Sequence, residues 1–393
     1  MKSVPLFPVT TVGSWTRSPE LLRAQGRKQR GRISAAEFER VADEAVLETL
    51  RLQEEAGVDL VTDGEQRRDN FYSFVAEKLD GVLLMSLAEM LDIIEDKDGF
   101  ERILQTLDVP AFSIRNPTCV GKIERRAPLA LDEYLFLRQH TDRPIKVPLP
   151  GPYLLTRAMW VKEATRAVYP TKEELAEDVV RILRQEVSEL RDAGADFVQF
   201  DEPVLTELVF TQGQTRTFMC AALAARNDPA EELEFAVDLI NRVVTGLDGL
   251  RIGLHVCRGN WSQQEQTLLK GSYHPLAPYL ARLNVQQLVL EFATPRAGEL
   301  AALLGVREIV NEKELGLGVV NPRTPETEPV AAIVERVKEA LQYLPPERIF
   351  LNPDCGFGTF SSRPMNSVKV AVRKLEALAQ AAAVLRADYP GTG

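Results

Sequence analysis

The sequence predicts an α/β fold, a (β/α)8 TIM barrel with an insertion after the second strand, on three observations. Eight short apolar runs alternate with amphipathic stretches of helical period. Eight strand–helix units are the number that closes a parallel barrel. Polar residues gather at the ends of nearly all the runs, whereas an open doubly wound sheet would place its ligand groups at one reversal of strand order.

The runs follow in order along the chain. PVTTVGS lies near Val9, VDLVTDGE ends at Glu65, IKVPLPGP starts at Ile145 and ADFVQFDEP surrounds Gln199. RIGLHVC ends at Cys257, QQLVLEFA surrounds Leu290, LGLGVVN ends at Asn321 and RIFLNPDCG ends near Cys355. Between them stand helical patterns such as AAEFERVADEAVLETLRLQEEAG and EELAEDVVRILRQEVSELRDAGA, with apolar residues recurring at three and four. Gly57 and Gly194 close two of these helices just before the next strand, as a left-handed C-cap requires. The stretch from about 79 to 140 is too long for a plain loop. It contains a helical piece, MSLAEMLDIIEDKDGFERILQTL, and a hairpin pattern, AFSIRNPTCVGKIERRAPL, and reads as a lid or an interface element. Residues 1–393 are expected to form a single catalytic barrel carrying that insertion.

Composition narrows the function classes. With 47 Lys+Arg against 57 Asp+Glu the formal charge is −10, which argues against nucleic acid or another polyanion as partner. No apolar run approaches a bilayer span, and the N-terminal MKSVPLFPVTTVGSW lacks the apolar length and cleavage site of a signal peptide. The expectation is a cytoplasmic protein. Four cysteines in so long a chain form no disulfide framework, so they are buried, metal-bound or reactive. Histidines number three, His140, His255 and His274, which gives a His/Cys cluster more weight.

Such a cluster stands at the strand ends. His255 and Cys257 are two apart on one strand and face the same side. Glu291 sits inside the apolar run of the next strand, where a carboxylate needs a partner. Cys355 ends the eighth run. Taken singly, the histidine reads as a packed residue and Cys355 as a small buried hydrophobe. Together they offer N, S, O and S donors on one rim, and soft thiolates with imidazole select zinc over magnesium or calcium. Cys119 and Cys220 fall outside strand ends and read as structural. Glu65, Asp201 and Glu202 end other runs. They read either as salt-bridge partners of Arg67 or Arg68 and as helix caps, or as a clamp on a cationic amine. Ser14, in TVGSW, adds a hydroxyl or backbone contact for a carboxylate. An amino-acid pocket beside a metal is the chemistry these residues suggest.

At these residues the chain resembles the cobalamin-independent methionine synthase family, over nearly its whole length. The strings are TTVGSW, GVDLVTDGE, PLPGP, GADFVQFDEP, HVCRGN, LVLEFATPRAGE and LNPDCGFGT. The resemblance implies a (β/α)8 barrel, Zn2+ held by His255, Cys257, Glu291 and Cys355, and homocysteine contacts from Ser14, Glu65 and Asp201. It implies a methyltransferase that makes methionine from homocysteine, with methylfolate or a methylated corrinoid protein as donor. A homodimer is an assembly open to such a chain. Two departures matter. Only the catalytic half of the two-barrel enzyme is present, as in the short branch of the family. The histidine that usually follows the seventh strand is absent from GVVNPRTPETE, where Asn321 stands. Asp354, Tyr153 or a water then remains as a proton donor, and Trp160 as a surface for a planar donor to stack on, although packing is its simpler role. Since HVCRGN and NPDCGFGTF also resemble thiol alkyltransferases, the alternative is a zinc-dependent alkyltransferase or lyase acting on another thiol such as coenzyme M.

Overall fold

The computed structural model describes residues 2–94, 97, 115–210, 228–260, 262, 268–361 and 364–390. Two strands, β1 (Leu79–Ser86) and β2 (Arg115–Arg125), pair antiparallel apart from the main sheet. Six more run parallel in sequence order: β3 (Lys146–Pro150), β4 (Phe197–Asp201), β5 (Arg251–Val256), β6 (Gln287–Glu291), β7 (Glu314–Val320) and β8 (Ile349–Pro353). Nearly every residue of these six is buried, as expected of parallel strands enclosed on both faces.

The ring closes through the first two apolar runs. Single parallel bridges join Val9 to Leu351, Thr10 to Leu60 and Val61 to Ile145. The Thr10 N–H donates to the Leu351 carbonyl at 3.0 Å, and the Lys146 N–H to that of Val61 at 2.8 Å. The sequence predicts eight strands, and these two are cut down to a bridge on each side. Past the bridges, hydroxyl contacts replace the ladder. Thr11 and Thr62 meet at 3.1 Å, and Thr62 donates to the Gly13 carbonyl at 3.1 Å. From inside the barrel the first run is held by the Lys146 ammonium on the Thr11 carbonyl (2.8 Å) and the Gln199 amide on the Val12 carbonyl (2.9 Å). Burial pushes the Lys146 amine down to about 7, with Asp201 opposing.

The helices pack outside. Helix α1 (Pro19–Gln29) starts at Ser18, and α2 (Ala35–Glu55) at a Ser34/Glu37 capping box. Helices Lys172–Asp192, Pro229–Val244, Val330–Ala340 and Val368–Asp388 each bury an apolar face. Gly57 and Gly194 adopt φ of 85° and 87° at the ends of their helices, as predicted. Among the described residues no helix is long and apolar enough to cross a membrane.

The insertion differs from its sequence reading. AFSIRNPTCVGKIERRAPL is not a hairpin in itself. From Arg115 it is one long strand, β2, and its partner is β1, which precedes the helical piece. The helix, α3 (Leu87–Ile93), begins at a Ser86/Glu89 capping box. Most of the predicted helical piece beyond Ile94, like Cys220, lies outside the described residues. The reason is β1 itself: LDGVLLMS finds its strand partner only in β2, with Leu79 opposite Arg125 and Ser86 opposite Arg115, a pairing between distant segments.

One carboxylate ties β2 and the segment after it to the barrel. Glu186, on helix Lys172–Asp192 and fully buried, accepts the N–H groups of Leu129 (2.7 Å), Ala130 (2.8 Å) and Leu131 (2.9 Å) and pairs with Arg125. Glu186→Ala leaves these donors buried and unpaired. It is expected to cost about 3 kcal/mol of stability, seen as a lower urea midpoint. A loss below about 0.5 kcal/mol, the size typical of a surface change, would refute the tie.

Candidate metal centre and amino-acid pocket

Strand register sets the height of each side chain at the C-terminal mouth. Asp201 on β4 pairs directly with His255 on β5, and Glu291 on β6 pairs with Gly318 on β7. Ser14, Glu65, Asp201, His255, Cys257 and Cys355 line one cavity enclosing about 430 Å³ of non-atom space. Its remaining wall includes Val12, Phe71, Pro203, Asn260, Gly356 and Thr359.

The candidate metal donors influence one another: Cys355 beside Cys257 pushes the Cys257 thiol down, and Cys257 with burial pushes the Cys355 thiol well up. His255 is 3% exposed and its Nδ1 meets Asp201 Oδ1 at 2.9 Å. Its Nε2 points to the Asp354 carbonyl at 3.3 Å. Burial pushes the imidazole down, but the Asp201 hydrogen bond and charge, with Cys257 and Glu291, outweigh it and hold His255 up to about 9. A carboxylate on Nδ1 fixes the tautomer that presents Nε2 as a ligand.

Glu291 acts by its charge on His255, Cys257 and Cys355, and its oxygens are already engaged. Its Oε1 accepts the Arg258 N–H at 2.6 Å and the Asn260 amide, and its Oε2 accepts from Arg296 at 3.2 Å. Among the described residues no three His, Cys, Asp or Glu side chains are drawn together closely enough to hold one ion as placed. The donor chemistry nonetheless suits a zinc-type ion: a buried imidazole, a buried thiol and a partly exposed thiol share a cavity with surplus negative charge.

The amine clamp is divided unevenly. Asp201 spends Oδ1 on His255 and on the Gln199 amide (3.0 Å), and among the described residues its Oδ2 makes no hydrogen bond. Glu65 is 1% exposed, and its Oε2 is likewise unpartnered. The salt-bridge alternative fails, because Arg67 pairs with Glu39 and Asp43, and Arg68 hydrogen-bonds to Glu133 and to the Pro148 carbonyl. Glu65 also holds φ of 53°, an uncommon strain for a residue with a side chain, and such strain concentrates at functional sites. A Cβ on Gly13 would stand 2.4 Å from Glu65 Oε1, and one on Gly356 2.1 Å from Ser14 Oγ, so both glycines make room for site residues. Burial pushes the Glu65 carboxyl up to about 7, against the charge of Arg68. Glu202 is no part of the clamp. It accepts the N–H groups of Tyr153 (2.8 Å) and Leu154 (2.9 Å) at the start of helix Pro152–Met159.

Other sequence readings resolve as follows. Tyr153 donates to Glu232 at 2.6 Å, so its hydroxyl is engaged by a buried carboxylate. The Trp160 indole N–H is taken by the Tyr169 carbonyl at 3.1 Å, which is a packing role. Asp354 uses Oδ1 on the N–H groups of Phe292 and Ala293, leaves Oδ2 unpartnered, and is pushed well up by burial and by Glu291. Cys119 is buried at 0%, donates to the Gly121 carbonyl at 3.1 Å, and is pushed up to about 11 by burial, as an inert structural thiol would be. Three residues escaped the sequence reading: Asn260, Arg296 and Arg323. Arg323 donates to Asn260 Oδ1 at 3.2 Å and belongs to the segment after β7 where a histidine was sought. HVCRGN and TPRAGE carried the first two, but nothing in one sequence links them to Glu291.

Known proteins match at every level. The model of the family described as "Cobalamin-independent synthase, Catalytic domain" matches residues 7–382. The methionine synthase of Pyrococcus abyssi is 30% identical over 391 residues, 99% of this chain and 96% of that protein. That of Saccharolobus solfataricus is 29% identical over 398 residues, 100% of this chain and 99% of the relative. Among solved structures, a B12-independent methionine synthase from Shewanella sp. in complex with selenomethionine superposes with a TM-score of 0.72 at 22% identity, covering 98% of this chain and 99% of that one. It establishes the barrel fold. With strings, fold and family model in agreement over nearly all residues, the chain belongs to the cobalamin-independent methionine synthase catalytic-domain family.

Proposed function

We propose that the chain methylates the thiol of homocysteine to give methionine, using zinc held by His255, Cys257, Cys355 and Glu291. The observation that carries this reading is the shared cavity: His255, Cys257 and Cys355 line it together with Ser14, Asp201 and Glu65, whose Oε2 is unpartnered. Zinc, when bound, favours the thiolate of a coordinating thiol over the thiol, and the thiolate is the nucleophile.

The protein's own groups do the rest. Asp201 Oδ2 and Glu65 Oε2 receive the substrate ammonium, and Ser14 its carboxylate, which aims the sulfur at the His/Cys wall. Phe71, Val12 and Pro203 flank the methylene chain and keep water from the sulfur. The thiol proton leaves, an S–CH3 bond forms, and the methyl–donor bond breaks with its electron pair staying on the donor. A folate amine leaving group needs a proton, whereas a reduced corrinoid does not. The segment where the histidine was sought carries Asn321 and Arg323, and Arg323 donates hydrogen bonds but keeps its protons. Tyr153 is engaged elsewhere. These facts support a methylated corrinoid as donor. The two carboxylates also disfavour coenzyme M, whose sulfonate they would repel.

The test is methionine formation by zinc-loaded protein given homocysteine with methylcobalamin or with methylfolate. Product from methylcobalamin is the expected result. Efficient product from methylfolate alone would overturn the donor reading, and product from neither the function. A pH dependence follows. Glu65 must be ionised to hold an ammonium group, and its carboxyl sits at about 7. Binding of norleucine, an analogue with no thiol to titrate, is therefore expected to weaken below pH 7, by up to about tenfold per unit. Glu65→Gln should flatten that profile in a calorimetric titration.

A further inference from the structure

Where the backbone ladders thin out, a side chain takes over. Ser14, Glu65 and Cys355 follow the first, second and eighth runs, and the first two of these join the ring by single bridges. Arg17 reaches all three segments. Its Nη2 donates to the carbonyls of Glu65 (2.8 Å) and Arg68 (3.0 Å), and its Nη1 to those of Trp15 (3.3 Å) and Gly358. Trp15 follows Ser14, and Gly358 stands three residues after Cys355. The guanidinium is 3% exposed, a setting a charge tolerates only when its hydrogen bonds are made. A planar fork of fixed donors can hold several carbonyls at once. Gly358 lets the segments approach, since a Cβ there would stand 2.2 Å from the Trp15 carbonyl oxygen.

Glu65 depends on this most. Its φ of 53° persists only where the surroundings fix it. Its N–H is held by Asp63 Oδ1 at 3.0 Å, and its carbonyl by Arg17 and by the Arg68 N–H at 3.1 Å. We infer that Arg17 is the positioning residue for Glu65: it anchors the strained Glu65 backbone to the segments after Ser14 and Cys355, and so aims the carboxylate at the substrate ammonium. The inference rests on the amine-clamp reading above. Arg17 also acts by charge. Arg17 and Arg68 favour the ionised Glu65 carboxyl, while Asp63 and Asp201 oppose it. His255, Cys257 and Cys355 share the cavity with it.

The experiment measures norleucine binding to the purified zinc-loaded chain by calorimetric titration between about pH 6 and pH 8. Arg17→Lys keeps the charge without the fork, and Arg17→Met loses both. Each is expected to raise the dissociation constant about tenfold, the size of one charge-assisted hydrogen bond. The pH midpoint separates charge from shape. With a neighbouring cation gone, Glu65 takes up its proton more readily, so in Arg17→Met binding weakens at a higher pH than in the parent. In Arg17→Lys the midpoint should stay. Mere loosening of the fold would admit water to Glu65 and move the midpoint the other way. In a Glu65→Gln background each Arg17 change should cost much less, since the carboxylate it positions is absent. Unchanged affinity in both Arg17 variants, or equal losses with and without the Glu65 carboxylate, would overturn the inference and leave the clamp reading intact. A parent chain that binds no norleucine would remove both. Thermal melts confirm folding, and Arg17→Lys, which keeps the buried charge, decides the matter alone if Arg17→Met does not fold.

Discussion

Cys257→Ser is expected to reduce zinc from about one ion per chain to a trace and to stop methyl transfer. The serine hydroxyl does not ionise near neutral pH, so a soft anionic donor is lost from a cavity that offers one imidazole and two thiols. Losing a direct ligand should exceed the 10- to 100-fold cost of losing an outer partner, so affinity should fall on the order of 10³-fold or more. The change also removes the thiol that Cys355 pushes down. Cys119→Ser provides the contrast: that thiol is buried on β2 and donates to the Gly121 carbonyl, and its variant should keep its zinc. Elemental analysis decides it. A Cys257→Ser protein with full zinc and full activity would refute the metal centre.

Asp201→Ala should have the second largest effect, because Asp201 serves two partners. One oxygen orients His255 at 2.9 Å, and the other faces the substrate ammonium in the reading above. Losing the first should weaken zinc binding about 10-fold or more, as loss of an outer partner does. Losing the second removes a buried charged hydrogen bond worth about 1.5–3 kcal/mol. Together kcat/KM for homocysteine should fall on the order of 10³-fold. Glu65→Gln separates the two roles, since Glu65 has no bond to His255: KM should rise while zinc is retained. Equal loss of zinc in both variants would overturn this division of roles between Asp201 and Glu65.

Much of this was legible in the chain. Eight apolar runs with polar ends foretold the barrel, and the i, i+2 spacing of His255 and Cys257 foretold their common face. Strand register then brought Asp201 beside His255, which no spacing in sequence could announce. The insertion was misread because β1 has no strand character without β2, a dependence that lies between distant segments. Glu291 was identified as a carboxylate needing a partner. Its present partners, Asn260 and Arg296, escaped notice because long polar side chains at a rim are usually solvated. The Asp201 double role was likewise hidden, since composition does not say which oxygen is already spent.

The two halves of the mouth are built to different tolerances. His255 and Glu291 stand on strands laddered along both edges, and Cys355 just beyond β8, whose ladder with β7 shifts register between Gly318 and Val320, whereas Ser14 and Glu65 come from segments tied into the ring by single bridges, hydroxyls and a lysine. Selection can therefore remould which small molecule is gripped by altering the loosely anchored side, while the chemistry on the stiff side carries on undisturbed. A barrel divided in this way is free to diversify its acceptors without rebuilding its reactive centre.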